Sequence, residues 1–168
     1  MIIKNKCGYE LLAYIPCDEQ EIINYENVTG AGIVFKVNSS YLIGFNNWRK
    51  QWEIPAGRIE KGESARQAAI RELLEETHQK VDDIEFKGLF KKKRPNGEIV
   101  YMAIFFCIKD GIVPFVKEDD DEDDEIKLWD LKEDIGYVDE IDLKIIESVQ
   151  GKKQIINYMW KEDVHKKY

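Results

Sequence analysis

Residues 57–79 read GRIEKGESARQAAIRELLEETHQ, and the rest of the chain is arranged around them. Gly57 permits either positive φ or the close approach of another group. Ser64 suits a helix N-cap and Gln67 completes a capping box, so the spacing predicts a helix over 65–77. Ala65, Ala69, Ile70, Leu73, Leu74 and Thr77 form its apolar flank. Glu72, Glu75 and Glu76 stand at i, i+3 and i+4 beside that flank, at the edge of the buried face. Like charges at this spacing repel by about 0.2–0.5 kcal/mol per pair. Either the face is simply solvated, or a cation offsets the repulsion. Hard divalent cations such as Mg2+ take oxygen ligands and sit between carboxylates and phosphates.

Working outward, residues 29–37 (TGAGIVFKV) and 41–45 (YLIGF) read as a hairpin across Asn38-Ser39-Ser40. Trp52, Glu53 and Ile54 lead to Pro55, which ends a strand and turns the backbone into Gly57. Farther back, residues 9–15 read as a strand closed by Pro16, with a dimerising arm as the functional alternative. Downstream, residues 84–93 and 98–108 flank Asn96-Gly97, a hairpin signal. The second of these runs is apolar on both faces, as a central strand would be. Residues 118–125 (EDDDEDDE) repel one another and are expected to form a solvent-facing loop before a short strand over 126–131. Asp139 can cap a last helix whose Ile141, Ile145 and Val149 recur at i, i+4 and i+8, with Gly151 ending it. Residues 152–168 repeat the amphipathic theme and are expected to form one more helix, docked or partner-binding. The expected organisation is a domain over 1–150 and a helical tail over 151–168.

The whole chain has 168 residues, room for one ordinary domain with a real core. Its 43% hydrophobic and 35% charged residues are ordinary for a globular protein. No apolar run approaches the ~20 residues of a membrane helix, and the N-terminus lacks a signal-peptide core, so a cytoplasmic protein is the default expectation. Cys7, Cys17 and Cys107 are widely spaced, which favours reduced thiols over a disulfide framework or a zinc site. A net charge of −8 argues against nucleic-acid polymers and anionic membranes as partners. It leaves room for an anionic small substrate, because a bound metal can reverse the local field.

Residues 57–76 fit the pattern G-x5-E-x7-R-E-L-x-E-E. This resembles the signature of the Nudix (MutT-like) hydrolases, and chance would give those fixed positions at below about 1 in 10^6 starts. The pattern departs from the family at its end, where His78 and Gln79 stand in place of glycine and an aliphatic residue. Glycine is favoured just past a helix, and His tolerates positive φ better than most residues, so a slightly altered helix exit is expected. The order of elements over about 28–150 also looks like a whole Nudix domain. The resemblance implies an α/β/α sandwich with a mixed β-sheet. It also implies that Glu72, Glu75, Glu76 and the Ala56 carbonyl bind a metal, Mg2+ or possibly Mn2+. Arg71 would brace a motif glutamate and Glu63 would support that network. A general base would be Glu76 or one of Glu122, Asp123, Asp124 and Glu125. Of these four, Glu125 is singled out because it immediately precedes the expected strand.

The implied activity is Mg2+-dependent hydrolysis of a nucleoside diphosphate linked to another moiety, releasing a nucleoside monophosphate. The alternative is a Nudix domain that binds or senses a nucleotide without turnover. Trp-Glu-Ile-Pro-Ala-Gly at 52–57, with Pro95 sixteen residues past Gln79, resembles the branch that cleaves ADP-ribose-like sugar nucleotides. Length and the short N-terminal region also fit members that cleave (modified) nucleoside triphosphates. Trp48 in its polar loop, with Arg49 and Arg58, is a candidate substrate contact, whereas Trp52 reads as packing. The basic cluster Lys91, Lys92, Lys93 and Arg94 reads as a hairpin end that could meet phosphates. A homodimer is possible.

Overall fold

Strict alternation along the long strands sorts their side chains onto two faces. Val34, Ile43, Phe90 and Ile104 point into one core cluster. Their neighbours Ile33, Phe35, Leu42, Leu89, Ala103 and Phe105 point into another. A sheet buried on both faces needs a covering layer on each. The structure, a computed structural model, describes residues 2–121 and 123–150, so the tail expected over 151–168 lies outside the described residues.

In chain order the elements are β1 (Ile3–Lys4), β2 (Glu10–Ile15), a 3-10 turn (Glu19–Asn24), β3 (Val28–Val37) and β4 (Ser40–Asn46). They continue with β5 (Gln51–Glu53), β6 (Ala56–Arg58), α1 (Ala65–Thr77), β7 (Glu85–Lys93), β8 (Ile99–Lys109), β9 (Asp123–Trp129) and α2 (Glu140–Gln150). The sheet runs β1-β2-β7-β8-β3-β4-β5, with β6 added to β3 and β9 to β4. Strands β3 and β8 are parallel while the neighbouring pairs are antiparallel, which makes the sheet mixed. Ala68, Ala69 and Leu73 of α1 cover one face. Ile141, Ile145, Ile146 and Val149 of α2 cover the other. The expected α/β/α sandwich is the architecture found, and β8 is the central strand its two-faced apolar run predicted.

One irregularity places the site. Strands β3 and β4 pair only next to their turn, at Lys36–Tyr41 and Val37–Ser40. Beyond that they part: Gly30–Gly32 of β3 bonds β6, and Gly44–Asn46 of β4 bonds β5 and β9. Pro55 lies between β5 and β6, where its carbonyl still accepts from the Ile33 amide at 3.0 Å. The Pro55 turn is therefore drawn against the split in the sheet. The acidic run is not wholly a loop, because its last residues enter β9.

Helix α1 begins as its sequence requires. The Ser64 side chain accepts from the Gln67 amide, and Gln67 returns a bond to the Ser64 amide. It ends at His78, which takes the left-handed conformation at φ 62°. Helix α2 is capped by Asp139, whose Oδ1 accepts from the Ile141 and Asp142 amides. Because Ile145 of α2 is completely buried, Ile145→Ala should cost about 2–5 kcal/mol in urea unfolding. A cost below about 1 kcal/mol would show that α2 does not seal that face.

Candidate active site

Arg71 is the hub of the motif helix. Its Nε and one Nη2 hydrogen grip both oxygens of Glu63 at 2.7 and 3.0 Å. Nη1 donates to Glu72 at 2.7 Å and to Glu75 at 3.1 Å. Nη2 also donates to the Arg58 carbonyl at 2.9 Å. The five N–H groups of a guanidinium are all engaged by this fork. Glu63 is held below the ordinary carboxylate range by its hydrogen bonds from Arg71. Arg71 itself is shifted upward, chiefly by Glu63, so it keeps its charge throughout.

Glu76 lies one turn deeper. Its carboxylate accepts from the Ala56 amide at 3.2 Å and contacts Glu72. Burial pushes its pKa well above the usual 4.5, and the neighbouring Asp123 and Glu72 charges push it the same way. Glu72 is raised too, by burial, while Arg71 pulls against the shift. Two glycines make this packing possible. A methyl group at Gly57 would collide with the Glu72 carboxyl, and one at Gly44 with the Asp123 carboxyl. Among the described residues, no three acidic or sulfur or imidazole side chains are already gathered closely enough to hold one ion. The donor set nonetheless fits a hard divalent cation: oxygen ligands, mutual repulsion and a raised proton affinity at a site that Arg71 reaches only from one side.

A cleft of about 530 Å³ opens beside these groups, within the size range of nucleotide-sized ligand sites. Ala56, Gly57 and Arg58 line it near the carboxylates. Lys92, Arg94 and Arg49 bring cations to its lining, although Arg49 is ion-paired with Glu53 at 2.8 Å and Arg94 with Glu98 at 2.9 Å. Gln51, Glu53, Asp139 and Asp142 make a polar floor. There Asp139 accepts from Asn5 at 2.9 Å and from Gln51 at 3.1 Å, and Asp142 accepts from the Ile54 amide at 3.0 Å. Burial, then Asp139 and Glu53, raise Asp142 well above the ordinary value. The Gln51 Oε1 is buried without a hydrogen-bond partner.

A profile of the NUDIX domain matches residues 29–149, the stretch that carries the carboxylates, both glycines and the cleft floor from Gln51 onward. The chain belongs to the Nudix family. An RNA pyrophosphohydrolase of Brucella ovis is 37% identical over 68 residues, which is 40% of this chain and 36% of that protein. The chain spans about a third or less of the length of such curated relatives. Among solved structures, a pyrophosphohydrolase of Bacillus subtilis superposes with a TM-score of 0.59 at 17% identity, covering 77% of each chain. A MutT Nudix hydrolase of Burkholderia pseudomallei superposes at 0.60 with 15% identity, over 73% of this chain and 97% of that one. At those identities the likeness is one of fold.

Within this Nudix frame the residues expected from sequence fall into two groups. Glu63, Arg71, Glu72, Glu75, Glu76 and Ala56 are brought together, although Glu75 is largely exposed and rests on Arg71. Arg49 and Arg58 line the cleft, whereas Trp48 is 90% exposed and lies outside the lining. Glu125 is exposed on β9, opposite Phe45. The carboxylate of the acidic run whose charge acts on Glu76 is Asp123, which is buried. A bulge explains the exchange. Phe45 pairs with Glu125 and Asn46 with Asp123, so one extra residue breaks the alternation between them. Sequence reading left Gln51 and Asp142 out of the site, gave Asp139 only as a helix cap, and gave Lys92 and Arg94 only a general basic-patch role. No local pattern announces these, because topology alone gathers them.

Glu76 gives a pH dependence of fixed sign. A carboxyl that binds its proton more tightly folded than unfolded favours the folded chain below 4.5, and that stability is lost as pH rises through the raised value. Without metal, Glu76→Gln should therefore gain stability relative to wild type as the pH rises from 4.5 towards the raised value, read from urea midpoints. Parallel pH profiles for the two proteins would contradict the burial of Glu76.

Proposed function

We propose that this Nudix domain hydrolyses a nucleoside diphosphate linked to another moiety, releasing a nucleoside monophosphate, with Mg2+ as its cation and Mn2+ as a substitute. The supporting observation is the half-buried pair Glu72 and Glu76, with buried Asp123 near them, set behind Ala56 and Gly57 in the lining of a cleft large enough for a nucleotide. Glu72, Glu75, Glu76 and the Ala56 carbonyl would hold the cation. Bound there, it would offset the carboxylates and the charge that builds on phosphoryl oxygens during displacement.

The chain's own groups supply the rest. Arg71 holds Glu63 and Glu72 in place, so the acidic cluster does not spread under its own repulsion. As the water oxygen bonds to phosphorus and the anhydride P–O bond breaks, a carboxylate takes the water's proton. Glu76 and Asp123 suit that role, and Glu76 binds a proton more tightly than a free glutamate does. Arg58, Lys92 and Arg94 can meet the phosphate chain. The side-chain amide of Gln51 and the carboxyl group of Asp142 offer polar partners to a base or sugar at the other end.

The test is a panel of nucleoside triphosphates, ADP-ribose-like sugar nucleotides and a 5′-triphosphorylated RNA, scored by product identity with Mg2+ or Mn2+. The RNA belongs there because a relative carries that name, although the net charge of −8 speaks for small substrates. Glu76→Gln should lower turnover by about 10^2–10^4 with the fold retained. Tight binding of one ligand with no turnover of any would instead establish a sensing domain.

A further inference from the structure

The two motif positions that depart from the family pattern, His78 and Gln79, have a shared structural partner: the segment between β8 and β9. Gln79 is 4% exposed, and its side-chain amide is paired on both sides with one residue of that segment. Its Nε2 donates to the Val113 carbonyl at 2.9 Å, and its Oε1 accepts from the Val113 amide at 2.8 Å. Two bonds to the backbone of one residue fix both position and orientation, which one bond would not. His78 holds the same segment farther along. Its ring lies 4.6 Å from that of Phe115, and Nε2 is 3.1 Å from Asp121 Oδ1. Asp121 is in turn tied into its own turn by the Glu118 amide at 2.6 Å. Asp121 stands two residues before Asp123, whose carboxyl lies against Gly44 and whose charge acts on Glu76.

We propose that His78 and Gln79 are positioning residues: they latch residues 113–121 to the exit of α1, and so set Asp123 against Glu76. The inference rests on the catalytic reading of Glu76 and Asp123 given above. Its geometry is economical, because the latch and Glu76 sit on consecutive turns of one chain segment. Whatever fixes the helix end also fixes the distance between the two carboxylates. Glycine and an aliphatic side chain at 78 and 79 could cap the helix and pack, but could make none of these polar contacts.

Glycine supplies the discriminating variant. His78 is in the left-handed region, which glycine adopts without a steric cost, so His78→Gly removes the ring while keeping the helix exit. Its thermal midpoint should match or exceed that of wild type. Amides 113–121 should nonetheless exchange faster with deuterium. Turnover should fall by about ten- to a hundredfold, as small misplacements of reacting groups do, with KM changed less than about threefold. Gln79→Leu, which keeps the bulk and loses both bonds to Val113, should do the same. On an Asp123→Asn background the His78→Gly effect on turnover should largely vanish, since both changes act at one point.

Full turnover in His78→Gly despite faster exchange would overturn the proposal. So would an effect of the same size on the Asp123→Asn background. If Asp123→Asn itself retained full turnover, the role of Asp123 would fall and the positioning role with it. A wild type that turns over nothing on the panel would refute the proposed activity instead. In that case unchanged exchange of 113–121 in both variants would separately refute the latch.

Discussion

Placing Glu76 inside the molecule beside Glu72 and Asp123 is the constraint on which the rest of this structure depends. Burying even one ionised carboxylate costs several kcal/mol unless it is compensated. Three answers are visible. Arg71 spends its whole guanidinium on the outer side of the cluster, gripping Glu63, Glu72 and Glu75. The Ala56 amide donates to Glu76 from the facing strand. Burial first, and the neighbouring carboxylates after it, leave Glu76 and Glu72 with a raised proton affinity. A cation that binds the folded chain and not the unfolded one would then add directly to stability.

The backbone around the cluster is shaped by the same demand. Carboxyl groups can lie against β4 and β6 only where there is no Cβ, hence Gly44 and Gly57. The early parting of β3 from β4 opens the sheet so that β6 can pair with β3 while β5 pairs with β4, and β9 pairs along the other edge of β4. Helix α1 then faces both added strands, with Ala68, Ala69 and Leu73 in the core, Leu74 of the expected flank exposed, and its acidic edge at the split. The opposite core, built on α2, supports the cleft floor from below through Asp139 and Asp142, which cap or adjoin that helix. Fold stability and site geometry therefore share residues.

Local chemistry was readable in the sequence. The Ser64–Gln67 box, the turn at Pro55, the Asn96-Gly97 hairpin, the Asp139 cap and the two-faced β8 each follow from a few adjacent residues, and each is where that logic puts it. The family resemblance, rather than local chemistry, gave the Arg71 brace and the supporting Glu63, and the contacts of Arg71 to Glu75 and to the Arg58 carbonyl went unread. What resisted reading was long-range. Asn5 and Asp139 are hydrogen-bonded across 134 residues, and Gln51 meets Asp139 across 88. No periodicity encodes such meetings. The bulge before Glu125 is subtler still. One unpaired residue in a run of eight acids turns Asp123 inward and Glu125 outward, and the charges of that run look alike in sequence.

That acidic run also explains why the helix exit matters. Residues 118–125 repel one another and favour an extended, solvated path, yet Asp123 must be delivered to a buried position. Something at the foot of the run has to oppose the repulsion. A non-glycine residue in the left-handed region costs roughly 1–2 kcal/mol. At His78 that cost is set against a ring contact with Phe115 and a bond to Asp121, while the neighbouring Gln79 adds two bonds to Val113. Hydrogen bonds of this kind contribute about 0.5–1.5 kcal/mol each, so the exchange of glycine for histidine is affordable in place. A departure that looks like a defect when the motif is read alone becomes consistent once the segment it holds is taken into account.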